Sequence, residues 1–157
     1  MTPVGTFMKY ALPCVASRLR DGRLKDKSVY DKFEQDCLNA VERDKSELEK
    51  MFESAFTVIK KYAAGKEIWS GEVIKGYWRK EHNLSIDRGE EGYDMVPEKL
   101  RRFCKVYEVE IVGKQDKSFN IRYPFNQKDS RVNAVLLPDA KVGDRITVHL
   151  GYAIEKI

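Results

Sequence analysis

The chain has 157 residues and a formal net charge of +4, with 42% hydrophobic, 34% charged and 11% aromatic residues, a composition that buries a core without disulfides. Its aromatic content excludes a largely disordered chain, and no uncharged stretch approaches the roughly 20 apolar residues of a membrane-spanning helix. Charges of both signs are interleaved, 20 basic with 18 acidic up to Cys104 and 9 with 7 after it, so no single basic stripe marks a polyanion-binding face.

Met1 to Leu12 lacks the basic leader, apolar run and small-residue cleavage site of a secretion signal, so the protein is expected to be cytoplasmic. Cys14 follows in an apolar patch. From Ser28 the apolar residues Val29, Phe33, Cys37, Val41, Leu48, Met51, Phe52, Ala55, Phe56, Ile59 and Tyr62 recur at spacings of three and four, one face of a helix, with Cys37 as a packing residue. Ser28 and Asp31 resemble a capping box at its start, and Gly65 suits its end. Arg43, Asp44 and Lys45 interrupt the stripe, and Ser46 with Glu49 offers a second start, so the segment reads as one helix or two. Ile68 to His82 predicts a further helix with Val73, Ile74, Tyr77 and Trp78 on its apolar side. Asn83 to Val96 reads as a surface loop, and Pro97 opens a short helix through Phe103.

Beyond Cys104 the period becomes strand-like: Val106 to Val112, Phe119 to Tyr123, Val132 to Leu137 and Ile146 to Leu150 are short runs of β-branched and aromatic residues. Turn signals at 114–117, 124–129 and 138–144 separate them. The pattern predicts an α+β protein: a helical domain over residues 1–102, then a small five-stranded antiparallel β-barrel over 103–157, OB-like, with the helices packed on it. If Val148 and Leu150 face the barrel core, His149 points the other way, towards solvent or a partner. Cys104, at the helix-to-strand junction, is by residue type a small buried hydrophobe.

The closing stretch Lys141-Val142-Gly143-Asp144, a strand, and then His149-Leu150-Gly151-Tyr152-Ala153-Ile154 closely resembles the end of the HypC/HupF hydrogenase-maturation chaperones. Cys104-Lys105-Val106-Tyr107-Glu108-Val109 falls where that family has its opening cysteine and first strand, with Glu108 in place of the family's proline and 103 residues ahead of Cys104. The resemblance implies a HypC-like barrel and an accessory role in nickel-iron hydrogenase maturation. It implies Cys104 and His149 as ligands of an iron carrying diatomic ligands. It also implies a HypD-like scaffold or a hydrogenase large-subunit precursor as protein partner, with Gly151 and Tyr152 in the docking motif.

Two other constellations combine aromatic and polar side chains. His82 and Asn83 follow Tyr77-Trp78-Arg79-Lys80-Glu81, where Tyr77 and Trp78 suit the core. Phe119, Arg122, Tyr123, Phe125 and Arg131, flanked by Lys117 and Lys128, form a denser cluster suited to docking a protein or, in the alternative reading of the chain as a nucleic-acid-binding module, to stacking bases. Gly-rich phosphate loops, a Ser-His-Asp order and the His-Glu-x-x-His signature are missing from the sequence, and two histidines are too few for a multi-histidine catalytic metal centre. The expectation is a protein that is not an enzyme.

Overall fold

In the computed structural model, which describes residues 1–126 and 128–157, the longest helix is one that apolar periodicity did not single out. Helix α1 (Pro3–Arg20) starts at Thr2, whose hydroxyl accepts from the Gly5 N–H at 3.0 Å. Pro3 stands in the first turn, where a missing N–H costs nothing. Pro13 sits inside α1.

The stripe after Ser28 resolves into three helices, α2 (Lys27–Leu38), α3 (Lys45–Met51) and α4 (Glu53–Ala63). The starts of α2 and α3 are set by aspartates, not by the serines that follow, while α4 begins at Phe52 without a side-chain cap. Asp26 accepts from the Ser28 N–H at 2.9 Å, and Asp44 from the N–H groups of Ser46 and Glu47 at 2.9 and 3.2 Å. A carboxylate caps a helix at least as well as a hydroxyl. Val41 consequently falls in the link between α2 and α3 and is 53% exposed.

Helix α5 (Gly71–Gly76) runs through a π-helical turn, Tyr77–Glu81, into α6 (His82–Asp87). The wider turn lets Tyr77, Trp78 and His82 all face inward, and all three are buried. The core of the helical layer centres on Phe7, whose ring lies 4.9 to 5.6 Å from those of Phe52, Phe56, Trp69 and Trp78. Truncating such a buried ring to Ala costs about 3–5 kcal/mol. The expected loop after Asn83 holds the rest of α6 and a short 3-10 turn at Tyr93–Met95, and α7 (Glu98–Cys104) follows Pro97. Among the described residues, no helix is long and apolar enough to cross a membrane.

The α+β class holds, but the five-stranded closed barrel does not. Among the described residues the sheet has six strands, β1 (Val106–Glu110), β2 (Gly113–Gln115), β3 (Ser118–Ile121), β4 (Ser130–Asn133), β5 (Arg145–His149) and β6 (Tyr152–Lys156), and it is open, in the order β1-β5-β6-β4-β3-β2. Only Ile111 and Val112 separate β1 from β2 in the chain, so the sheet bends back on itself. No ladder joins these two edge strands. The added strands arise where turn residues mask strand pairing: β2 lies across the expected 114–117 turn, whose residue Asp116 makes the tight bend at φ 51°. Gln127, in the expected 124–129 turn, lies outside the described residues. Leu150 and Gly151, at φ 46° and 81°, form the two-residue hairpin between β5 and β6, the left-handed pair such a link requires.

The sheet has two covered faces. Val109, Phe119, Ile121, Val132, Ile146 and Val148 form its inner core, while Val106, Leu136 and Ile154 join the core of the helices. A bulge opposite Thr147 and Val148 pairs Thr147 with Glu155 and Val148 with Ala153. It leaves Ile154 unpaired, and both Ile154 and Glu155 meet the helical layer.

Candidate functional site

His149 lies on the face opposite Val148, as strand alternation requires, but that face is covered by helices and not by water. It is 1% exposed. Its ring meets Trp78 at 5.3 Å and stands nearly perpendicular to His82 at 5.2 Å. Nδ1 donates to the Tyr10 carbonyl at 2.8 Å, which fixes the proton on Nδ1, and Nε2 has no partner among the described residues. Burial, seconded by the neighbouring His82, pushes the His149 pKa down from 6.5 to about 3. The imidazole is therefore neutral.

Cys104 closes α7 and is half-buried, its Sγ 3.7 Å from the Leu100 carbonyl. Burial raises its thiol pKa, and the charges of Arg20 and Arg23 offset this only in part. The Cys104 carbonyl accepts from His82 Nε2 at 3.2 Å, so the main chain of Cys104 meets the imidazole pair. The strand register pairs His149 with Val106, two residues on. The two implied iron ligands thus sit at one junction of the fold, but the chemistry of the donors does not fit an iron cargo: one nitrogen is buried among aromatic rings, and the thiol is held protonated. Among the described residues, no three His, Cys, Asp or Glu side chains converge as a ligand set.

His82 and Asn83 act on the same junction. Asn83 donates to the Val106 carbonyl and accepts its N–H, both at 2.8 Å, an amide standing in for a neighbouring strand. Glu91 accepts from Tyr77 at 2.9 Å and from Ser85 at 2.8 Å, and its Oε2 lies 3.8 Å from His82 Nδ1. Burial raises the Glu91 carboxyl, but these partners outweigh it and leave the pKa below its ordinary value. Burial lifts the thiols of Cys14 and Cys37 to about 12.

The expected aromatic and basic cluster is dispersed. Phe119 is fully buried in the inner sheet core, Arg122 pairs with Asp129 at 2.7 Å, and Arg131 donates to Gln115 at 2.6 Å. Gly151 serves the hairpin turn, and the half-buried Tyr152 meets the Tyr30 hydroxyl at 3.1 Å. Tyr123 and Phe125 instead join residues from across the bend of the sheet. Their rings stack at 5.1 Å, with Tyr107 at 5.6 and 5.4 Å and Phe103 of α7 at 6.3 and 5.2 Å. The Arg102 guanidinium lies over Phe125 at 4.8 Å and Phe103 at 5.4 Å. Side chains, in place of a ladder, bridge the gap beside β1.

Helix α7 also carries Leu100, 54% exposed, and Phe103, 41% exposed, alongside Lys99, Arg101 and Arg102. This face is hidden in the sequence because a seven-residue helix is too short to show an apolar stripe, although Lys99-Leu100-Arg101-Arg102-Phe103 is a dense basic and apolar run. Comparison with family models, with curated proteins and with solved structures finds no match to this chain.

Proposed function

We propose that the protein is an accessory protein that docks a partner protein through α7. That is the docking half of the role implied by the HypC/HupF resemblance, without its iron-carrying half. One observation carries the reading: Leu100 and part of Phe103 are open to solvent on a helix that His82 at Cys104 and Asn83 at Val106 tie to the junction of the two layers. Apolar side chains held on a rigid element with a cationic rim have the anatomy of a docking surface. In this reading the protein catalyses no reaction. The resemblance names two partners to try, a HypD-type scaffold and a nickel-iron hydrogenase large-subunit precursor.

The test is binding of the full chain to each purified partner, alongside the Leu100→Asp/Phe103→Asp double variant with its thermal melt recorded. Binding to one partner that weakens at least about tenfold in a variant of unchanged melt supports the reading. Binding to neither, or binding that the double variant leaves intact, overturns it. The nucleic-acid reading has the Arg102 ring contacts in its favour, and it requires micromolar binding of single-stranded RNA at physiological salt with a steep salt dependence.

A further inference from the structure

We propose that the groove between α6 and α7 receives an acidic amphipathic segment of the partner, an inference that rests on the docking reading and names the partner's chemistry. The groove has a volume of about 440 Å³ and is lined by Asp87, Glu98, Lys99, Arg101, Arg102 and Lys105. Of these four cations only Lys105 has a carboxylate partner among the described residues, Asp87 at 2.6 Å. Elsewhere Arg23, Arg43, Arg79, Arg88, Arg122 and Arg145 each meet a carboxylate, while Arg18 and Arg131 donate to a main-chain carbonyl and to Gln115.

Arg101 and Arg102 are nonetheless held in place. Arg101 donates through Nε to the Val96 carbonyl at 2.8 Å and through Nη2 to that of Asp94 at 3.4 Å, while Arg102 lies over the rings of Phe103 and Phe125. A carbonyl or a ring face orients a guanidinium without neutralising its charge. Two oriented planar forks without carboxylates, with Lys99 beside them, form a receptor for anionic oxygens, and a guanidinium takes a carboxylate bidentately.

The neighbouring apolar side chains choose between anionic partners. Phe125 is packed by Tyr123, Tyr107, Phe103 and Arg102, which leaves less of its ring for stacking a nucleobase. Outside the groove's lining, α7 leaves the aliphatic Leu100 and part of Phe103 open to solvent, which call for apolar side chains on the partner alongside its carboxylates. An acidic peptide with apolar residues at helical spacing supplies both.

The experiment uses the full chain and a fluorescent peptide built from Glu and Leu at helical spacing, read by anisotropy at physiological salt. Control probes are the same peptide with Lys for Glu, the same with Ser for Leu, and a uridine oligonucleotide. The Glu-Leu peptide is expected to bind, and Lys99→Glu/Arg102→Glu to weaken it at least about tenfold. Lys99→Glu alone, which breaks no side-chain hydrogen bond or ion pair among the described residues, carries the test if the double variant melts lower. Equal binding of either control peptide, tighter binding of the oligonucleotide, or indifference to both charge reversals overturns the proposal. Capture of a HypD-type scaffold or hydrogenase precursor that depends on Leu100 and Phe103 but not on Lys99 and Arg102 rejects this inference and leaves the docking reading standing.

Discussion

The Nδ1 of His149 donates to the main-chain carbonyl of Tyr10 at 2.8 Å, so a strand of the sheet is hydrogen-bonded to the middle of the longest helix. Pro13, three residues on, has no N–H to give to the Lys9 carbonyl, and the next carbonyl along, that of Tyr10, accepts from the sheet. The contact joins the two layers through a neutral imidazole that cannot be wetted.

That burial makes stability depend on pH. The folded-state pKa of His149, about 3, lies below the 6.5 of an exposed imidazole, so between these values the unfolded chain binds a proton that the folded one refuses. Stability is full above about pH 6.5 and falls as pH drops towards 3, with about 2 kcal/mol lost by about pH 5. Urea midpoints measured across this range should decline in the native protein and decline less in His149→Phe. Equal slopes in the two proteins would refute the assignment.

The Tyr10 hydroxyl makes a second tie between the layers, at 2.9 Å to Thr147 and 2.6 Å to Glu155, and Arg79 Nη2 reaches the same Glu155 oxygen at 2.7 Å. Removing the hydroxyl alone leaves Thr147 and one carboxylate oxygen short of a buried partner. Tyr10→Phe is expected to cost about 1–3 kcal/mol, read as a lower urea midpoint with unchanged slope. Glu155→Gln should cost less together with Tyr10→Phe than the two single costs summed, because both act on one network.

The β-branched runs of 106–150 are legible in the sequence because strand side chains alternate between covered faces, and Val148 and His149 do point to opposite sides. What covers each side is a tertiary matter: no local signal says that the face of Thr147 and His149 meets helices. Helix α1 was hidden by Pro13, which reads as a breaker although its ring is buried in the core. The strand edges were hidden by the bulge at Ile154, where one unpaired residue places Ile154 and Glu155 on one side and defeats a period of two. At the candidate site, the residue types of Cys104 and His149 were readable and their burial was not.

A fragment of residues 103–157 tests how far the sheet depends on the helices. Alone it would expose Val106, Leu136 and Ile154 together with Thr147, His149 and Glu155, the whole face that α1 and the π-helical turn now cover. Apolar surface of that extent drives association. The fragment should be insoluble, or lack a cooperative thermal transition by circular dichroism. A soluble monomer that melts in a single step would refute the dependence.

The three thiols give the last prediction, because the iron-carrying role needs one of them as a thiolate. Burial raises Cys14 and Cys37 to about 12 and raises Cys104 above its ordinary value, so each is almost wholly protonated near neutral pH. Thiolate content sets the alkylation rate, and for a pKa near 12 it falls on the order of a thousandfold below that of free cysteine. Iodoacetamide at about pH 7.5 should therefore label the folded protein slowly at all three positions, Cys104 fastest, and label it promptly in denaturant. The same protonation predicts that ferrous ion binds native protein and Cys104→Ala equally weakly in anaerobic equilibrium dialysis, since the thiol must lose its proton and the His149 nitrogen must come out of the core before either can coordinate. Rapid labelling of native Cys104, together with ferrous binding that Cys104→Ala abolishes, would restore the metal-carrying role beside the docking one.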